Sequence, residues 1–428
     1  MNKLFTFLSA LVVTTALFAH DFAAGDPYLY YNIIGDNSVE VTYRGENPFD
    51  IDDELELYNR YAGPIVIPES VTYNGTTYKV LRIGILAFAA CPNVTSVSIP
   101  ESVTHIGLGA FVECTDLSSI TIPNSVTSMG EEVFSDCYSL TSVVLSNSMV
   151  NIKKRTFDDC KNLTSITIPN GVVRIEYGAF SDCANLTSVT LPESLTTIED
   201  AVFENCSSLT SITIPSGVKT IGSEVFKGCK SLTSISIPNT VTTIEEDYFD
   251  GWALFSGCSS LTSVTINSDV TTIGTNAFNG CTNLTSVTIP ESVMSIGYRA
   301  FYGCKNLTSI TIPESVMSIG YSAFYGCKNL TSLTIPESVT DIDDYAFYDC
   351  VKLESIEVLS NVNHIGAEAF KNCFSLKSIT LGRYVTEIEE NAFYWCDQLQ
   401  AIYIPTGTKA RFASMAGLQG LEHLLVEI

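Results

Sequence analysis

Basic side chains are scarce in this chain of 428 residues. Lys and Arg together number 22 against 47 for Asp and Glu, so the formal net charge is −25. Such an excess of negative charge repels phosphate backbones and anionic lipid headgroups. We therefore expect no nucleic-acid partner. Hydrophobic residues make up 46% of the chain, which is ample for a continuous core.

Long apolar runs are missing beyond the first residues, so the sequence predicts no transmembrane segment. One shorter run, from Leu4 to Leu17, follows Lys3 and precedes small residues at Ala19 and Ala24. This order is typical of a secretory signal peptide. We expect residues 1–24 to be that peptide, cleaved after Ala19 or Ala24, and the chain to be secreted or displayed at the cell surface. A buried helix or a retained membrane anchor is the alternative.

Cysteine is absent before Cys91, which excludes a lipid attached to a cysteine at the signal junction. The 14 cysteines then form one series in which every interval is 23 residues except one of 29. A Phe lies three residues before each Cys, and an apolar residue lies three after it. The units that begin at Leu284 and Leu307 are identical at 21 of 23 positions. A period of 23 lies within the range of leucine-rich repeats.

The alternation within one unit predicts its local structure. Ile166 and Ile168 alternate with Ser165 and Thr167, which is the period of a strand with one buried face. Pro169 ends that strand because it lacks a backbone donor. A second short extended segment and a tight helical turn carrying Phe and Cys complete the unit. The sequence thus predicts an α/β repeat, a solenoid of 23-residue units with a curved parallel sheet and short helical turns.

The two ends depart from the repeat, as the ends of a solenoid must if they are to cover its core. We expect an N-terminal β cap over residues 25–80, with a hairpin turn at Asn74-Gly75. The repeats span residues 81–405. A C-terminal cap follows over residues 406–428, helical from Thr408 to Leu425.

The repeated unit resembles the BspA-like leucine-rich repeats of bacterial surface proteins, as found in Bacteroides-like bacteria. The resemblance rests on the pattern Leu-x-x-Ile-x-Ile-Pro-x-x-Val-x-x-Ile-Gly-x-x-Ala-Phe-x-x-Cys and on the exit sequence Tyr403 to Thr408. It implies a secreted or surface-exposed protein with adhesion as the recurrent role, and it supplies no catalytic residue.

Cysteine and acidic side chains are the first candidates for chemistry. Fourteen cysteines in an exported chain suggest disulfides, but no alternation of paired units is present, so we favour reduced thiols acting as small buried hydrophobes. No Cys-x-x-Cys pair supports zinc. Paired acids such as Asp343-Asp344 suggest Ca²⁺, although their place on outer turns favours a solvated face. No metal and no cofactor are expected.

Histidine numbers only four, which limits acid-base catalysis. His105 and His364 occupy the same place in units that are 11 apart, so at ~4.8 Å per unit about 50 Å separates them. No histidine breaks the repeat to complete a Ser/His/Asp arrangement. We therefore expect no enzyme.

Rows of outward hydroxyls are the main candidate binding surface. Such rows can hydrogen-bond to a peptide or a sugar, although Ser and Thr also simply suit exposed strand positions. The candidates are Ser165, Thr167, Ser188, Thr190, Ser211, Thr213, Ser286, Thr288, Ser309 and Thr311. Val144, Glu357 and Tyr403 interrupt the rows, and Lys153-Lys154-Arg155 is the only basic run.

The single 29-residue interval adds an aromatic loop with Tyr248 and Trp252, which is either a contact site or a filler. The sequence as a whole predicts a monomeric, adhesin-like protein that binds a host-matrix or other cell-surface protein. A glycan-binding or envelope scaffold component is the alternative.

Overall fold

The computed structural model describes residues 20–25, 28–43, 61–241, 243–244, 254–266, 268–358 and 361–428. Over these ranges the chain is a parallel β solenoid of about 14 turns with very little helix. The predicted fold is confirmed. No helix within the described ranges is long and apolar enough to cross a membrane.

The N-terminal end is a small sheet that leads directly into the solenoid. Its strands are β1 (Phe22–Ala24), β2 (Leu29–Gly35), β3 (Ser38–Thr42), β5 (Ser70–Tyr73) and β6 (Thr76–Ile83). Strand β4 (Gly63–Val66) lies between β3 and β5 in the chain but pairs in parallel with residues 94–98 of the first solenoid turn. Strands β1, β2 and β3 pair antiparallel, whereas β3 and β6 pair parallel. The β5–β6 hairpin turns at Asn74 and Gly75, whose φ angles are 48° and 81°. Positive φ at both positions is what an Asn-Gly hairpin turn requires.

Each full turn of the solenoid contributes up to two short strands, and each strand pairs in parallel with its counterpart one unit away. The first series carries the Ser and Thr rows: β7 (Val94–Ser98), β9 (Ser119–Thr121), β11 (Ser142–Val144), β13 (Ser165–Thr167), β15 (Ser188–Thr190), β18 (Ser234–Ser236), β20 (Ser263–Thr265), β24 (Ser332–Ile335), β26 (Ser355–Val358), β28 (Ser378–Thr380) and β30 (Ala401–Ile404).

The second series consists of two-residue strands whose last residue is buried wherever its side chain is described. Its members are β8 (His105–Ile106), β10 (Ser128–Met129), β12 (Asn151–Ile152), β14 (Arg174–Ile175), β16 (Thr197–Ile198), β17 (Thr220–Ile221), β19 (Thr243–Ile244), β21 (Thr272–Ile273), β22 (Ser295–Ile296), β23 (Ser318–Ile319), β25 (Asp341–Ile342), β27 (His364–Ile365) and β29 (Glu387–Ile388).

The turn that carries Phe and Cys forms a third backbone ladder between units. In one unit the N–H groups of Arg299, Phe301 and Gly303 donate to carbonyl oxygens of the next unit at 2.7–2.9 Å, namely those of Tyr321, Ala323 and Tyr325. Residues two before and two after the Phe adopt a left-handed backbone, as at Arg299 (φ 52°) and Gly303 (φ 70°). Up to three ladders therefore hold each unit to its neighbour.

The core is a column of identical side chains. Fourteen phenylalanines from Phe88 to Phe393 stack in sequence with ring centroids 5.2–5.8 Å apart. The column crosses the long 29-residue interval without a break, since Phe226 and Phe255 are 5.8 Å apart.

The C-terminal end closes the core with short pieces rather than one helix. Helix α1 (Lys409–Ala413) has only five residues and is followed by 3-10 turns at Ala416–Leu418 and Glu422–Leu424 and by β31 (Leu425–Glu427). A side chain at Gly417 would collide with the carbonyl oxygen of Glu389 and with Ile388. The predicted helix has already ended by then, because the backbone becomes extended at Met415 (ψ 137°).

Candidate functional sites

The strand face presents the predicted hydroxyl rows to solvent. All ten candidate Ser and Thr residues are exposed, whereas the Ile and Val between them are buried. Strand pairing places Ser165 beside Ser188 and Thr167 beside Thr190, and isolated bridges join Thr265 to Thr288 and Thr288 to Thr311. Ser211 and Thr213 occupy the same place in a turn where no strand is formed.

The two rows differ from the neighbouring row of threonines in how their hydroxyls are used. The Thr187 hydroxyl donates to the carbonyl oxygen of Thr164 at 2.9 Å, and that of Thr308 donates to Thr285 at 3.3 Å. For the ten candidate hydroxyls, no hydrogen bond to another described residue exists. Their donors and acceptors are therefore available to a ligand.

Three residues interrupt the row that contains Thr167, as the sequence indicates. The structure exposes 59% of Val144, and Glu357 is also exposed. Tyr403, at the C-terminal end of the row, is half-buried beside Thr380. Along the solenoid the row is thus interrupted by one apolar, one acidic and one aromatic side chain.

The basic run lies away from the strand face, and two of its members are engaged. Lys153 forms an ion pair with Glu176 at 2.9 Å. Arg155 lies 3.9 Å from Asp158 and stacks over the ring of Tyr177. These contacts largely neutralise the run, so it supplies little attraction for an anionic ligand.

Paired acids on the outer turns also have structural partners. The Asp344 carboxylate accepts a hydrogen bond from the N–H of Ala367 at 2.7 Å, and Glu389 lies 3.0 Å from the ring of His364. Within the described ranges, no group of three or more His, Cys, Asp or Glu side chains could hold a metal ion. Tyr248 and Trp252, and the acidic run at 245–247, lie outside the described residues.

Thirteen cysteines, from Cys114 to Cys396, are thiols with one shared geometry. Each donates to the carbonyl oxygen of the Phe 26 residues earlier, or 32 across the long interval, at 3.0–3.4 Å. Burial raises the pKa of these thiols, to about 12 at Cys396 and well above the ordinary value at Cys327. Such thiols are poor nucleophiles at neutral pH.

The turn side carries an aromatic surface that our sequence analysis missed. Tyr302, Tyr325 and Tyr348 stack one above another at 4.6 Å, and Tyr298 stacks on Tyr321 at 5.2 Å. The signal was present, because tyrosines recur at intervals of 23 in these units one residue after the Phe.

A family model for the BspA-type leucine-rich repeat region matches residues 81–209, 150–254, 251–373 and 340–416. The chain belongs to the BspA-type leucine-rich repeat family. The family and the solenoid fold are generally those of non-enzymatic repeat proteins. A search of curated proteins found no match.

Solved structures of bacterial leucine-rich repeat proteins share the fold. One from Bacteroides ovatus is 30% identical, with a TM-score of 0.69, and the match covers 90% of this chain and 100% of that one. A leucine-rich cell surface protein from Faecalibacterium prausnitzii is 30% identical, with a TM-score of 0.54 and coverages of 92% and 98%. The pneumococcal vaccine antigen PcpA shares the fold at 20% identity, with a TM-score of 0.54 and coverages of 96% and 98%.

Proposed function

We propose that this chain is an exported, surface-exposed, adhesin-like protein that binds a protein ligand through the Ser and Thr rows of its strand face. The observation that carries the proposal is the set of ten exposed hydroxyls without partners among the described residues. A long, rigid surface of unused donors and acceptors suits the many weak contacts of adhesion. The cell-surface description of the F. prausnitzii relative supports the location.

The ligand surface that fits best is neutral or basic. The chain carries a net charge of −25, so acidic ligands are repelled and basic ones are steered toward it. The hydroxyl rows themselves are uncharged. Binding should therefore weaken only moderately as salt is raised, because hydrogen bonds rather than ion pairs form the contact.

The test is to measure binding of the full exported chain to purified matrix proteins such as collagen, fibronectin and laminin. Replacing Ser188 with Ala and Thr190 with Val removes two hydroxyls while preserving the shape of the strand. Thr271→Val is the matched control, since Thr271 is exposed but lies outside both rows. We expect saturable binding that the double variant weakens and the control does not. Failure of every matrix protein to bind, or equal weakening by the control, would contradict the proposal.

A further inference from the structure

The last unit shares the backbone conformation of the other units but has an unusual residue at one position. The residue just before the cysteine is left-handed in all fourteen units, and from the third unit onward it is Asp, Asn or Gly until the last, which has Trp395 at φ 60°. Asp, Asn and Gly tolerate this conformation, whereas a bulky side chain is strained in it. Backbone strain at Trp395 is thus expected to lower the stability of the fold at this position.

Trp395 and its neighbour Tyr394 also end the aromatic surface. They stack on each other at 4.9 Å, and the Lys371 ammonium of the preceding unit lies 5.5–5.8 Å from both rings. Beyond them the chain enters the C-terminal cap, so no further tyrosine covers their rings. Trp395 is 53% exposed and Tyr394 48%. Each of the two rings is thus covered on one side by the other, and about half of each side chain remains accessible to solvent.

The rings of Tyr394 and Trp395 border a cleft between the last unit and the C-terminal cap. The cleft has a volume of about 580 Å³, within the usual range for small-ligand sites. Gly417 and Leu421 of the cap form one wall. The polar groups around the rings are the carboxylates of Glu390 and Asp397 and the amides of Asn391 and Gln419.

These groups define the chemistry of the ligand. Exposed aromatic surface packs against the apolar C–H face of a sugar ring, and carboxylates and amides accept and donate hydrogen bonds to its hydroxyls. The two carboxylates disfavour an anionic ligand. The Lys371 ammonium already occupies the position over the two rings where a cationic ligand would bind, and it also forms an ion pair with Glu368 at 2.8 Å. A neutral ligand with many hydroxyls remains.

We propose that the cleft at the C-terminal cap is a binding site for a neutral saccharide unit, with Trp395 as its platform. The lining of this cleft includes none of the Ser and Thr row residues. Saccharide binding can therefore be tested independently of the proposed protein ligand. It provides a reason for a strained tryptophan at a position where the fold prefers Asn or Asp.

The experiment is calorimetric titration of the full chain with neutral hexasaccharides, namely cellohexaose, xylohexaose and mannohexaose, with polygalacturonate as the anionic comparison. We expect at least one neutral hexasaccharide to bind saturably and polygalacturonate not to bind. Trp395→Asn should weaken that binding by about tenfold or more, as loss of a central aromatic contact does.

Folding controls keep the test decisive. Trp395→Asn places a preferred residue at a left-handed position, so its thermal unfolding should occur at the same or a higher temperature than that of the unaltered chain. Tyr384→Ala is the matched control, because Tyr384 is 54% exposed and lies outside the cleft. It should leave saccharide binding unchanged. Absence of binding by all three neutral hexasaccharides, or undiminished binding by Trp395→Asn, would overturn the proposal.

Discussion

The thiol of Cys327 donates a hydrogen bond to the carbonyl oxygen of Phe301, 3.3 Å away in the preceding unit. That oxygen also accepts the N–H of Cys304 at 3.2 Å. The cysteine therefore links two units while filling the space beside the phenylalanine column. Its conformation is fixed by this bond, which explains why a small buried residue with a weak donor recurs at this place.

Replacement of Cys327 by Ala should lower the free energy of unfolding by about 1 kcal/mol, because it removes a buried sulfur atom and its hydrogen bond. Denaturant unfolding followed by circular dichroism measures the change. Cys396→Ala is the control, since Cys396 is only partly buried, and it should cost less. A larger loss at Cys396 than at Cys327 would contradict this account.

Cys396 should be the first cysteine to react with a maleimide in the folded protein. It is the least buried of the series and borders the cleft at the C-terminal cap. Burial raises the pKa of its thiol to about 12, so the reaction should be slow at pH 7 and faster at pH ~9, where more thiolate is present. Mass spectrometry of peptides from the labelled chain identifies the site. Earlier labelling of any interior cysteine would show that the solenoid opens locally.

Of the two expected cleavage points, we predict that export cleaves the chain after Ala19. Strand β1 pairs with β2, and Phe22 is only 4% exposed and stacks on Tyr73 at 4.3 Å. Cleavage after Ala24 would remove this strand. N-terminal sequencing of the exported protein should read His20 first, and a reading that begins at Gly25 would refute the prediction.

A chain that begins at Gly25 provides the matching stability test. It lacks Phe22, and loss of a buried aromatic side chain costs about 3–5 kcal/mol. We expect its unfolding midpoint in denaturant to be lower than that of a chain beginning at His20.

Mild acid should stabilise the protein. Burial and the carboxylate of Asp136 raise the pKa of Glu113. Burial also raises the pKa of Asp159, against the lowering effect of Lys161. A folded-state pKa above the unfolded value means that the folded chain binds protons more readily. The stabilising contribution is thus complete below the unfolded pKa, about 4, and is lost as the pH rises through the folded pKa.

The measurement is the thermal midpoint of unfolding between pH 7 and pH ~5, close to the ordinary carboxyl range, which should rise as the pH falls. Asp136→Asn removes one repulsive neighbour of both groups and should reduce that rise. Asp116→Asn is the control: it alters an exposed carboxyl that is not among the causes of either pKa shift, so it should leave the rise unchanged. A thermal midpoint that falls steadily over this window would show that the sign is wrong.

The repeat, its strands and its buried positions were predictable because the same side chains face the same core in every unit. Ile166 and Phe180 are identifiable from period alone. The left-handed backbone at Trp395 was not predicted, because tryptophan does not indicate a positive φ and the angle is seen only in the structure. The tyrosine surface, by contrast, was predictable in principle from the 23-residue spacing of Tyr302, Tyr325 and Tyr348.

The C-terminal cap shows where local pattern fails. Residues from Thr408 onward suit a helix, but α1 has only five residues, the backbone is extended at Met415, and Gly417 then packs closely against Glu389. Local helical propensity does not decide the structure there. The hydroxyl rows were predicted by position, whereas the absence of partners for their hydroxyls required the structure.

The three backbone ladders repeat with the same register from one unit to the next, and the units from Leu284 and Leu307 are nearly identical in sequence. Gaining or losing one 23-residue unit between them would therefore leave every junction chemically equivalent and both caps intact. We expect such a change to alter the length of the solenoid by one fixed step while the pattern of its core stays the same.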